Sequence, residues 1–161
     1  MNVHGLSDDE WDFLLFIPFV VFFSVAYADG KIAPAETNTF SGVVGRMAKA
    51  NSSGADALTV DVMRAISSDF AGLANRVDSL AGSGVSFGDI TAAGRLVLET
   101  KIEPLSAQSY RQSVLRLGQL IAEAWPLFSK GSPQERDVLA RIASAIGLDS
   151  PHRGLIPFAE G

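Results

Sequence analysis

The segment FLLFIPFVVFFSVAYA, residues 13–28, carries no charge over sixteen positions, and its reading decides the fold. A membrane-spanning helix needs roughly 20 consecutive apolar residues, and shorter runs are more often buried core helices. A secretory signal needs a basic region ahead of its apolar stretch. Here the residues ahead are Asp8, Asp9, Glu10 and Asp12, and no lysine or arginine precedes Lys31. Pro18 would also kink a spanning helix. Just upstream, Ser7-Asp8-Asp9-Glu10 has the spacing of a capping box, with Leu6 and Trp11 at the two hydrophobic-staple positions. A helix that is apolar on every side is one that others surround. The segment reads as the central helix of a globular core, with membrane attachment or a seam between two copies as the competing readings.

Working outward, Ala28-Asp29-Gly30-Lys31-Ile32 forms a turn, and Pro34 suits the first position of a second helix, where a missing amide donor costs nothing. Phe40, Val43, Val44, Met47 and Ala48 follow the spacing of one buried helical face. Asn51-Ser52-Ser53-Gly54 breaks the chain. From Asp56, the series Leu58, Val62, Ile66, Phe70, Leu73, Val77 and Leu80 predicts one long helix, or two joined near Ser67-Ser68. Gly82, Gly84 and Gly88 have neither the spacing nor the preceding strand of a dinucleotide fingerprint, and read as a linker. A further helix is expected from about Gly88 to Ile102, with Leu96, Val97 and Leu98 inside. Glu103-Pro104 interrupts it, and the next runs from about Ser106 to Leu127 with Val114, Leu117, Gly118 and Ile121 on its face. Ser132-Pro133-Gln134-Glu135 is a second capping box, opening a helix that buries Val138, Leu139, Ile142, Ala143 and Ile146 and stops at Gly147. Residues 149–161 should be an irregular tail. No segment alternates as a strand does. The expectation is an all-α compact bundle of about six to eight helices in a single domain, its core at about residues 6–148.

With 47% hydrophobic and 19% charged residues, the chain of 161 residues is too apolar for disorder and long enough for one sizeable core. It has no cysteine, which excludes disulfides, thiolate metal sites and a cysteine nucleophile. Its histidines, His4 and His152, stand near opposite ends, an arrangement unsuited to an ordinary zinc site. A net charge of −5 argues against nucleic acid as a partner, because phosphate binding needs a basic footprint. Residues 1–100 hold 12 acids and 6 bases, so a cation or a basic partner would favour that part. The bland reading of this charge is a solvated acidic surface.

Aligning Glu36 with Glu135 also aligns Pro34 with Pro133, Lys31 with Lys130, Phe40 with Leu139 and Val43 with Ile142. Two related helix–turn–helix halves around the buried N-terminal helix are the natural interpretation. At this point the chain resembles the tellurite-resistance TerB-like family. The first likeness is Ala28-Asp29-Gly30-Lys31-Ile32 with Glu36. The second is Ser132-Pro133-Gln134-Glu135-Arg136, followed by Val138-Leu139, Ile142-Ala143 and Ala145-Ile146-Gly147-Leu148. Where relatives often carry a second Asp-Gly turn, this chain has Phe128-Ser129.

The resemblance implies a bacterial stress-response binding or scaffold module that acts with protein partners. It implies a cytoplasmic protein, or one peripheral to the inner face of the membrane. It also carries the possibility of a divalent metal cation to Asp29 and Glu36, and more weakly to Glu135. Asp29, Gly30 and Glu36 match loop positions 5, 6 and 12 of an EF-hand, but positions 1, 3 and 9 would be Val25, Tyr27 and Ala33. Calcium needs roughly six to eight oxygens, so the calcium-loop reading is rejected. The competing structural role makes Gly30 a helix terminator and Glu36 a capping residue.

An alternative function is an apolar small-molecule-binding or membrane-surface protein, with the phenylalanines of residues 13–28 lining a pocket. A homodimer is the related partner reading. For an enzyme, no serine elbow is present, neither histidine falls in a predicted helix, and the Glu99/Glu103 pair is followed at once by Pro104. A non-enzymatic role is expected.

Overall fold

The computed structural model describes residues 3–26, 34–50, 54–124 and 133–147. Among these residues there are seven α-helices and no strand: α1 (Asp8–Ala26), α2 (Pro34–Ala48), α3 (Ala57–Ser68), α4 (Phe70–Gly82), α5 (Phe87–Thr100), α6 (Pro104–Ala124) and α7 (Pro133–Ala145). The protein is an all-α bundle built around α1.

Every residue from Leu14 to Phe22 is buried. At 3.6 residues per turn this stretch covers more than two turns, so α1 is enclosed on all sides. α3, α4, α5, α6 and α7 pack against it, and α2 reaches it through Phe40. Leu14 to Phe22 are thus covered by other helices of the same chain. Among the described residues no helix is long and apolar enough to cross a membrane.

The start of α1 is the box read from sequence. The Glu10 amide donates to Ser7 Oγ at 3.2 Å, and the Ser7 amide donates to Glu10 Oε1 at 2.8 Å. That backbone hydrogen bond holds the Glu10 carboxyl below its ordinary range.

Pro18 sits inside α1 and has no amide to give the carbonyl four residues earlier. That carbonyl, on Leu14, accepts instead from the buried Tyr110 hydroxyl of α6 at 2.6 Å. A cross-helix bond thus replaces the missing rung of the ladder.

Two glycines set how closely the neighbours approach α1. A Cβ on Gly94 of α5 would collide with Ile17 Cδ1, and one on Gly118 of α6 would lie 2.9 Å from Val21 Cγ1.

The predicted boundary near Ser67-Ser68 resolves into two helices, α3 and α4, meeting at Asp69. α5 begins at Phe87, one residue earlier than read, behind a capping box missed in the sequence. Ser86 Oγ accepts from the Asp89 amide at 3.0 Å, and the Asp89 carboxylate accepts from the Ser86 amide at 3.1 Å. Replacing Ser86 with alanine should lower the unfolding free energy by about 1 kcal/mol, read from urea denaturation midpoints.

Leu96 corrects the expectation for α5: it is 60% exposed. Ile90, Gly94, Val97 and Leu98 share the inward stripe, and a helical residue two positions from Gly94 points to the opposite side. α5 ends at Thr100 rather than Ile102, and Pro104, read as an interruption, is the first residue of α6.

The two helices related by the internal echo are α2 and α7. Their aligned positions Phe40/Leu139 and Val43/Ile142 are all buried. Both have arginine guanidinium groups on their last carbonyls. Arg64 Nε donates to the Ala48 carbonyl at 2.9 Å, Arg95 Nη1 to Ser144 at 3.3 Å and Arg111 Nε to Ile146 at 2.9 Å. Cationic groups at this end complement the helix dipole.

Candidate functional site

Asp29, the Asp29-Gly30 turn and the tail at 149–161 lie outside the described residues, as do Trp125 and Phe128. Glu36 and Glu135 fall on the third residues of α2 and α7, and their side chains are outside what the structure describes. Val25, the first position of the rejected calcium loop, is a buried residue of α1. Among the described residues no three His, Asp or Glu side chains form a group suited to a metal ion.

Among the described residues two clefts of about 620 Å³ each are open, and the more apolar in its residues lies between α1, α5 and α7. Its first wall is a single stripe of α1: Ile17, Val20, Val21 and Ser24. The spacing i, i+3, i+4, i+7 puts these four on one face. The facing wall is the matching stripe of α7, Val138, Arg141, Ile142 and Ala145, continued by Ile146 just past its end. The first turn of α5, with Phe87, Gly88 and Thr91, closes one side. Gly118 of α6 supports the interior, because its missing side chain leaves room for Val21, Leu139 and Ile142.

The chemistry of this lining is narrow. Among the described lining residues Ser24, Thr91 and Arg141 have the polar side chains, and none is a carboxylate or an imidazole. The Thr91 hydroxyl donates to the Phe87 carbonyl at 2.8 Å. Arg141, 72% exposed, pairs with Asp137 one turn earlier at 2.9 Å. A cleft with these walls can enclose an apolar body and meet a polar end at its rim. It holds no pair suited to moving a proton near neutral pH.

A second cleft lies between α1 and α4, lined by Asp12, Phe13, Phe16, Arg76 and Leu80 among others. Arg76 already spans it, bonded to Asp12 at 2.6 Å and placed 5.0 Å over the Phe16 ring. Asp9 is a further acidic residue of the lining.

One polar constellation had no signal in the sequence. His4 Nε2 lies 2.8 Å from Asp61 Oδ2, and the imidazole stacks on Trp11 at 5.8 Å. With Leu6 fully buried, this pair fastens the N-terminal segment across α3. The partners stand 57 positions apart, and neither carries a local motif.

Searches of protein-family models, curated proteins and solved structures give no match to this chain. The fold and the site define an all-α bundle with an apolar interhelical cleft.

Proposed function

We propose that this chain is a binding module that takes a small apolar ligand in the cleft between α1, α5 and α7. The observation that carries the reading is the convergence of two apolar helical stripes on an open space of about 620 Å³. Ligand pockets are mostly apolar, with a few polar groups, and occupy roughly 300–1,000 Å³. Ala145 is exposed at the cleft, so a larger side chain there enters the space without disturbing the core. Titrating 1-decanol into the ¹⁵N-labelled chain should shift amides at residues 17–24 and 138–146 saturably. Ala145→Trp should weaken that binding by at least about tenfold, the cost expected for filling much of a small site. Thermal unfolding of the variant should stay near that of the parent. No saturable shift, or equal binding by Ala145→Trp, would count against the reading.

A second reading rests on the TerB-like segments: a stress-response scaffold tuned by a hard divalent cation at Asp29 and Glu36, with Glu135 at the equivalent place. Its support is the likeness of residues 28–36 and 132–148, together with Glu36 and Glu135 occupying the same third position of α2 and α7. Mg²⁺, Ca²⁺ and Mn²⁺ titrations followed at the amides of residues 28–37 test it. A saturable local change is expected on this reading, and its absence removes the cation.

A further inference from the structure

We infer that the ligand of the α1–α5–α7 cleft is a single-chain amphiphile with an anionic head, its tail between the α1 and α7 stripes and its head on Arg141. The inference rests on the cleft reading above and adds the charge of the ligand. Arg141 is the one charged residue among the described residues that line the cleft, and it stands beside Ile142 on the same wall. The side between the two walls is closed by the start of α5, whose helix dipole favours negative charge and is served in the cap by Asp89. Two acids stand close to these groups. Asp137 pairs with Arg141, and Asp89 accepts from the Ser86 amide in the α5 cap.

Asp89 is held by its cap and lies outside the lining residues. The Asp137–Arg141 pair is solvent-exposed on both sides, at 69% and 72%. Such pairs contribute little, so the guanidinium can exchange Asp137 for a carboxylate that arrives with an apolar tail. Arginine suits this exchange because its planar fork binds carboxylates through two donors. From Ile17 to Ser24 the α1 stripe is about 10 Å long, seven residues at ~1.5 Å each. That length favours one extended chain of moderate size. The space is a groove between helices, its accessible side chains Ser24, Phe87, Arg141 and Ala145 on three different elements, which fits a free amphiphile better than a flat lipid surface.

The test compares decanoate with 1-decanol on the full chain at neutral pH, below the aggregation limit of either probe. Calorimetry supplies the affinities and amide shifts supply the location. Decanoate should bind about threefold to fivefold more tightly than decanol, the gain expected of an ion pair at an accessible site. Arg141→Gln should remove that advantage and bring the affinities for decanoate and decanol together. Equal affinities, or a decanoate preference that survives Arg141→Gln, would overturn the anionic assignment while leaving the cleft reading intact. Failure of both probes to shift residues 17–24 and 138–146 would overturn both. Co-sedimentation with phosphatidylglycerol vesicles that Arg141→Gln abolishes would overturn the free amphiphile in favour of a membrane surface.

Discussion

Phe40→Ala lowers the unfolding free energy by about 3–5 kcal/mol, the range for truncating a buried phenylalanine. Phe40 is fully buried on α2 and touches three other rings. It stacks on Phe22 with centroids 4.8 Å apart and meets Phe19 and Phe70 edge-on at 5.1 and 5.0 Å. Two of these rings belong to α1 and one to α4, so a single side chain ties three helices together. Alanine would leave a cavity that the stiff neighbours cannot refill, and each ring pair loses its own favourable geometry. Against a typical total of about 5–15 kcal/mol, this is a large fraction of the stability. Urea denaturation should show a lower midpoint with an unchanged slope. A loss below about 1 kcal/mol would mean that α2 does not dock through this ring.

The second large effect concerns the Tyr110 hydroxyl. Tyr110→Phe leaves the buried Leu14 carbonyl without the donor that compensates for Pro18, at a cost of about 1–3 kcal/mol. The claim is specific because it predicts coupling. Pro18→Ala restores an amide at position 18 that can reach the Leu14 carbonyl along the helix. In that background, Tyr110→Phe should cost clearly less, and the double-mutant cycle should report the difference. Equal costs in both backgrounds would show that the hydroxyl does not stand in for the missing amide.

Burial also pushes the Tyr110 hydroxyl well above its ordinary pKa. The folded state therefore keeps this proton at a pH where the unfolded chain releases it. Its contribution is complete below about pH 10 and is lost as pH rises beyond that. Tyr110→Phe should remove this part of the alkaline destabilisation.

The fold was legible where local chemistry decides it. Acids ahead of an apolar run too short to span a bilayer marked α1 as a core helix, and Ser7 with Glu10 marked its start. The faces of α2 and α7 followed from spacing, and Gly118 fell on the inward face of α6. Leu96 misled because a run of three apolar residues cannot all face one way on a helix, and the stripe through Gly94 and Val97 took precedence.

The site was legible only in its parts. Ile17, Val20, Val21 and Ser24 are one helical face, and Val138, Ile142 and Ile146 are another. Periodicity does not say whether two such faces meet or leave space between them. That depends on Gly94, Gly118 and the first turn of α5, residues far apart in the chain. Tyr110 was invisible for the same reason: Pro18 announces an unpaired carbonyl, but its donor lies 96 positions from Leu14. His4 and Asp61 found each other without any local pattern. The acidic positions Asp29, Glu36 and Glu135 were singled out by likeness alone and stand as a proposal.

The most direct test of the cleft is an isotope-filtered nuclear Overhauser experiment on the labelled chain with unlabelled 1-decanol. Contacts are expected from the alkyl protons to the methyl groups of Val20, Val138, Ile142 and Ala145. Those to Val20, Val138 and Ile142 should disappear in Ala145→Trp. Alkyl contacts confined to the exposed Leu96 and Leu105, or none to the α1 and α7 stripes at saturating decanol, would contradict it.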